Sequence, residues 1–287
     1  REAAMSEPTI EDYYVEDRTF PPSEDFTAAA LLSDNSHYEE AATDYEAFWA
    51  RQARDLLTWD EDFHTTLEWD LPFAKWFVGG KLNLSANCLD RHVDAGYGDR
   101  IAFHWEGEPG DTRQITYSDL LAEVSAFANV MKGLGLEKGD RVAIYMPMIP
   151  ELPVAMLACT RIGVVHSVIF GGFSPDSIVD RCEDADARLI ITADAGYRRG
   201  EPSALKVNVD AALDSGAPSV EHVVVVNRCD TDVTMAEGRD LWWHDLMAHA
   251  STDCQPSRWT ASNCSTCSTH LAPPQSPRAS CTPRAAT

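Results

Sequence analysis

Between about residue 96 and residue 253, short apolar runs alternate with longer stretches in which apolar positions recur every three or four residues. The runs Ile101–Trp105, Val142–Tyr145, Val164–Ile169, Leu189–Thr192 and His222–Val226 read as strands. Between them, Ser118–Leu134, Ile149–Ile162, Pro175–Asp184, Ala204–Ser215 and Asp240–Ala248 keep helical spacing. Ser118 and Asp240 are the expected N-caps, and Gly133 with Gly135 closes the first of these helices. Strand and helix taken in turn predict βαβ units, a mostly parallel sheet and an α/β fold. No internal repeat interrupts the alternation.

The front of the chain has a different texture. Residues 1–36 are polar and acidic, with Pro21-Pro22, and are expected to form a disordered, mobile arm. From His37 to Trp59, Tyr45, Phe48, Trp49, Ala53 and Leu56 recur at helical spacing, which predicts one or two amphipathic helices. Asp60–Gly80 is irregular and rich in Trp and Phe, as a lobe packed on the main body would be, and Lys81–His92 reads as a short helix. The organisation expected is an arm (1–36), a lobe (37–95), an α/β domain (96–253) and a tail (254–287).

Past Asp253 the pattern stops. All 46 acids precede position 254, and the later residues are mainly Ser, Thr, Pro, Ala and Arg, with half of the cysteines. The net charge of -23 therefore belongs to the folded part. Such a surface disfavours nucleic acid and anionic membranes, because no basic patch is present to displace counterions. It suits a salt-loving source and, equally, an ordinary acidic cytosolic protein. No apolar run approaches the roughly 20 residues that span a bilayer, and the start has no signal-peptide core. A soluble cytoplasmic protein is expected, with Met5 the natural initiator and Arg1–Ala4 upstream of it. Cys88, Cys159, Cys182 and Cys229 stand apart, as buried thiols in a reducing compartment do.

Two segments carry candidate chemistry. In Val168–Pro175 an apolar strand ends in Gly171-Gly172, and Ser174-Pro175 opens a helix. Glycines let a ligand approach the backbone, and a helix start offers N–H groups to an anion. A tight strand-to-helix turn with no ligand has the same pattern, and the pattern alone favours it. The second segment, Ala193–Gly200, follows a strand and holds Arg198-Arg199 in an otherwise acidic chain. Guanidinium groups beyond the carboxyl end of a parallel strand suit a phosphate; a solvated surface loop suits the sequence equally. The histidines are scattered, and no Ser-His-Asp order or metal-ligand cluster stands out before residue 254. Trp242-Trp243 is expected to anchor a helix to the core.

Taken together, Leu82–His92, Val142–Glu151, Arg161–Pro175 and Glu237–Trp243 resemble the AMP-forming acetyl-CoA synthetases (acetate–CoA ligases) of the adenylate-forming superfamily, over residues 38–250. The resemblance implies the first part of that family's large α/β domain, truncated, with a sheet left open where later strands would pair. It implies a reaction in which acetate and MgATP give an acetyl-adenylate, whose acetyl group passes to coenzyme A (CoA). Onto this chain it carries CoA binding by Gly172 and by the segment Arg198-Arg199-Gly200, with Glu201 where the family has a base. It carries over no catalytic residue and no metal ligand. ATP, Mg2+ and CoA are ligands of the full-length family enzyme, and no resident cofactor is expected here. Nothing specifies an oligomeric state. Without the later parts this chain is expected to be inactive and poorly soluble; the rival reading is a non-catalytic CoA-binding or partner-binding fragment.

The tail has three readings. One is a disordered low-complexity segment, and another makes Cys264-x-x-Cys267 half of a zinc or redox site, with Cys254, His270 or Cys281 to complete it. The third is a frameshift. If each tail codon spans two true codons, Cys264–Cys281 recover Leu-Leu-Tyr-Val-Leu-Tyr-Thr-Ser-Gly-Thr-Thr-x-Lys-Pro-Lys-Gly-Val-Met-His, similar to the family's phosphate loop; Gln275 alone resists. That places the break near Gln255–Trp259.

Overall fold

A computed structural model describes residues 19–260. One compact unit ends at Trp49 and a second begins at Ala50. The first holds α1 (Glu24–Ala29) and α2 (Ser36–Thr43), and α3 (Tyr45–Leu56) begins in it; α2 and α3 meet the helices expected from His37 onward. The arm expected over 1–36 is thus not wholly irregular. Ser23 accepts the Phe26 N–H, and Glu24 and Asp25 complement the helix start, so α1 closes on local capping alone and buries nothing.

The second unit begins with an aromatic knot. Trp59, Phe63 and Phe77 meet with ring centroids 5.0–5.7 Å apart, and the Trp59 indole N–H donates to the Ala53 carbonyl. The segment expected to be irregular is an antiparallel hairpin, β1 (Thr65–Asp70) with β2 (Phe73–Val78). Lys81–His92 is not one helix. It runs as β3 (Lys81–Leu82), α4 (Leu84–Cys88) and α5 (Asp90–His92), because Leu89 leaves helical geometry at φ -124°. β4 (Ile101–Glu106) also departs from expectation: it pairs antiparallel with β5 (Thr112–Thr116), outside the parallel sheet.

α6 (Tyr117–Gly133) starts one residue before the expected stretch. Thr116, not Ser118, caps it, in a box where Thr116 Oγ1 accepts the Asp119 N–H and Asp119 accepts the Thr116 N–H. Then come β6 (Arg141–Met146), α7 (Glu151–Ile162), β7 (Val165–Phe170), α8 (Pro175–Ala185) and β8 (Leu189–Ala193). A second hairpin, β9 (Ala195–Arg198) with β10 (Glu201–Ala204), leads to α9 (Lys206–Ser215), β11 (His222–Val226), β12 (Asp240–Trp242) and α10 (Trp243–Ala248). The main sheet is parallel throughout, ordered β12-β11-β8-β6-β7. β6, β8 and β11 are buried along nearly their whole length, which is why their sequences are continuous apolar runs. The chain steps from β6 to β7, then back past β6 to β8, so right-handed crossovers put α7 and α8 on opposite faces. β7 is an edge, and Val168 and Phe170 on it are exposed.

Asp240 is not a helix cap. It lies in β12, and its buried carboxylate meets Lys206 Nζ at 2.7 Å and Arg239 Nε at 2.6 Å. Asp210 also meets both cations, at 2.6 and 2.8 Å, so two acids balance two bases beside the start of α9. Trp243 does anchor α10, stacked on Phe127 with centroids 3.9 Å apart.

Packing continues past Asp253. Arg161, 4% exposed, holds Asp90 with two bonds of 2.8 and 2.9 Å and donates to the Cys254 carbonyl at 2.6 Å. Asn129 binds the Ser251 and Asp253 carbonyls, and Asn83 reaches that of Ser257. A final pair, β13 (Trp259–Thr260) on β3, closes this clasp. The readings of Cys264-x-x-Cys267, His270, Gln275 and Cys281 lie outside the described residues.

Candidate functional site

Strands β6 and β7 send their chains to opposite faces, and at such a reversal an α/β sheet opens a crevice beyond its carboxyl ends. A cavity of about 380 Å³ lies there. Met146–Ile149 after β6, Phe170–Gly172 after β7, Gly196–Arg198 in β9 and Arg228 after β11 line it, with Trp105–Glu108 closing one side. The lining is chiefly apolar and aromatic, with charge at a few points.

Gly172 and Arg198, far apart in sequence, are neighbours. A Cβ on Gly172 would stand 2.8 Å from the Phe170 ring and 3.3 Å from Arg198 Nη1. A side chain there would have to displace the exposed Phe170 ring and crowd a guanidinium. Gly196 is crowded in the same way, because its Cβ would fall 2.7 Å from Pro147. The helix start at Ser174-Pro175 does not line the cavity. An anion at that start gains no support; the glycines and the helix end serve different ends.

Arg199 and Gly200 lie at the tip of the β9–β10 hairpin and do not line the cavity. Both have positive φ, 57° and 83°, as the two central residues of a primed hairpin turn require. Gly200 thus has a conformational task, and its N–H donates to Glu108. Glu201 is the register partner of Arg198, with no ion pair between them among the described residues. Both are exposed, and of the two only Arg198 lines the cavity.

Sequence reading missed Asp194 and Arg228. Asp194 is fully buried at the end of β8. Its carboxylate accepts the N–H groups of Arg228 (2.7 Å), Cys229 (3.1 Å) and Thr231 (2.8 Å), and the Thr231 hydroxyl (2.9 Å). Burial alone would raise its pKa, but these donors outweigh it and hold the group below the ordinary carboxylate value. The loop after β11 is thereby folded around one anion. On that loop Arg228 pairs with Asp111 at 2.8 Å, which pushes the guanidinium pKa upward. The available signal was position: Arg228 follows an apolar strand at its carboxyl end, where ligands gather.

His166 is 2% exposed in β7, and neither ring nitrogen has a partner among the described residues. Burial lowers its pKa to about 4, so it is a neutral interior side chain. Among the described residues no three His, Cys, Asp or Glu side chains gather as metal ligands, and no helix is long and apolar enough to cross a membrane. Cys159, Cys182, Cys229 and Cys254 form no disulfide among the described residues.

Two family models match the chain: "Acetyl-coenzyme A synthetase N-terminus" over residues 35–88 and "AMP-binding enzyme" over residues 89–270. An acetyl-coenzyme A synthetase of Rubrobacter xylanophilus is 56% identical over 238 residues, covering 83% of this chain and 37% of that protein. One from Streptomyces avermitilis is 54% identical over 258 residues, covering 90% of this chain and 39% of that protein. One from Gemmatimonas aurantiaca is 51% identical over 252 residues, covering 86% and 38%. The chain thus spans less than two-fifths of the length of these relatives. With both models matched end to end across the lobe and the parallel-sheet domain, the chain belongs to the AMP-binding enzymes and, within them, to the acetyl-coenzyme A synthetase family.

Proposed function

We propose that this chain is the front segment of an AMP-forming acetate–CoA ligase and that its cavity is part of the CoA site. In the whole reaction an acetate oxygen attacks the α-phosphorus of ATP and pyrophosphate leaves. The CoA thiol then attacks the acyl carbon, and AMP leaves with the bonding electrons. The observation that supports the reading is the meeting of Gly172 and Arg198 at a cavity beyond the strand ends. Gly172 keeps that wall open to a ligand, and Arg198 offers a guanidinium to a phosphate oxygen. Arg199 and Gly200 complete the segment at the hairpin tip. Glu201, opposite Arg198, opposes a phosphate there and weakens the grip.

No residue of this chain is assigned to bond making, to Mg2+ or to the ATP phosphates; those tasks belong to the further length of the relatives. These 287 residues by themselves therefore do not turn acetate over. Its ligands are small molecules, with no nucleic acid or membrane, and its place is the cytoplasm. The loss of acids after Asp253 marks a reading-frame break. The docking of Cys254–Arg258 supports the late side of the window between Gln255 and Trp259.

Calorimetry with CoA, together with acetate-dependent AMP formation by the purified chain, tests the assignment. Weak CoA binding that Arg198→Ala abolishes, without AMP formation, is the expected result. Acetate-dependent AMP release by the 287 residues alone would sink it. Resequencing the DNA tests the frame break, which fails if no single-base change restores an open frame containing the phosphate loop.

A further inference from the structure

The β9–β10 hairpin that carries Arg198 pairs with no other strand among the described residues. A two-stranded ribbon is marginal alone, so its stance depends on side contacts. At its base Gly196 packs against Pro147. Its tip is held by Glu108, which accepts the Gly200 N–H. Its middle is held by Arg228, whose guanidinium lies 5.2 Å from the Tyr197 ring centroid, one residue from Arg198.

Arg228 is itself fixed at both ends. Its backbone N–H donates to Asp194 at 2.7 Å, and its side chain meets Asp111 at 2.8 and 2.9 Å. The same guanidinium lies 4.9 Å from the Trp105 ring centroid, so it touches two aromatic rings as well as one acid. The 105–111 loop is closed tightly on it: a Cβ on Gly107 would stand 2.6 Å from Arg228 Nη2 and 2.8 Å from Trp105 Cη2. Asp111 matches the Arg228 charge, so this arginine is not a free cation for a ligand. Arg198 has no ion-pair partner among the described residues and remains available.

We propose that Arg228 and Glu108 are positioning residues for the phosphate end of CoA, bracing the β9–β10 hairpin so that Arg198 stands beside Gly172. This rests on the reading of the cavity as a CoA site. Glu108 serves through its carboxyl oxygen as a hydrogen-bond acceptor, which an amide can replace. Arg228 serves through its contact with the Tyr197 ring and its pair with Asp111, which alanine cannot replace.

The test takes the 287-residue chain as wild type, Arg228→Ala, Glu108→Ala and Glu108→Gln. Hydrogen exchange of residues 196–204 is read beside calorimetry with CoA and with 3′-dephospho-CoA. R228A and E108A are expected to speed exchange in the hairpin and weaken CoA binding roughly tenfold, the scale of one bond to a charged group. Dephospho-CoA binding should stay unchanged, and E108Q should behave as wild type. Unchanged exchange in both alanine variants overturns the brace, as does equal weakening of CoA and dephospho-CoA. Should R228A fail to fold, the E108A and E108Q pair decides alone. If the hairpin loosens but the wild type does not prefer CoA to dephospho-CoA, the ligand assignment falls and the brace survives.

Discussion

Asp194→Asn is the substitution that most directly questions the architecture of the loop that carries Arg228. The carboxylate is fully buried and takes three backbone N–H groups and a hydroxyl at 2.7–3.1 Å. An amide has one oxygen. In one orientation its NH2 faces the Thr231 N–H, and in the other it faces those of Arg228 and Cys229, so at least one buried donor opposes a donor. Bonds to a charged group are worth about 1.5–3 kcal/mol each, and an unsatisfied buried donor costs about 1–3 kcal/mol. A loss of about 3 kcal/mol results, a large share of the roughly 5–15 kcal/mol that holds a domain. Urea unfolding at neutral pH measures it.

The pH dependence supplies a second reading of the same carboxylate. Its folded pKa is depressed, so its contribution is present above the unfolded value of about 3.9 and is lost as pH falls through the lower folded value. The gap between wild type and variant should therefore be flat above about pH 5 and shrink below about 3.9. A variant within about 0.5 kcal/mol of wild type at neutral pH, the range of an ordinary surface change, would refute the reasoning.

Three further outcomes are expected. Gly172→Ala should weaken CoA at least tenfold, since its Cβ meets the Phe170 ring at 2.8 Å, while the melting temperature moves by less than about 3 °C; calorimetry and a thermal melt check it. Arg161→Ala should cost about 2–3 kcal/mol, less than a fully buried pair because Asp90 is 24% exposed. Limited proteolysis should then cut near 251–258, and an unchanged digest would count against the clasp. For His166 the folded pKa of about 4 lies below the unfolded 6.5, so its neutral form stabilises the fold above pH 6.5 and that stability is lost as pH falls towards 4. The difference is about 3 kcal/mol, and unfolding of His166→Phe should be flatter than wild type across that window.

Much of the fold was legible because buried parallel strands advertise themselves. Val142–Tyr145, Leu189–Thr192 and His222–Val226 are apolar on both faces, and each lies within a strand of the sheet. The β1–β2 hairpin was not legible, because consecutive aromatics and Pro72 between Trp69 and Phe73 hide its alternation. Asp240 looked like a cap because caps are local, whereas its buried partner Lys206 comes from another element. In the site, the resemblance supplied Gly172 and Arg198, and the structure brought them together. Arg199 and Gly200 proved to be turn residues, a role set by φ and invisible to composition. Arg228 was signalled only by its place after an apolar strand, and its contacts with Asp194 and Asp111 are distant in sequence.

Asn83 reaches the carbonyls of Thr160, Arg161 and Ser257, the last 174 residues further along the chain. On a ribosome adding about 5–20 residues per second, that last partner is made roughly 10–35 s after Asn83 itself. Helix α7 can meet α4 well before then, so the sheet has time to assemble around a seam still open to water. Closure of the clasp is thus separated in time from the packing of α7 on α4, and a defect in it would leave that earlier packing in place.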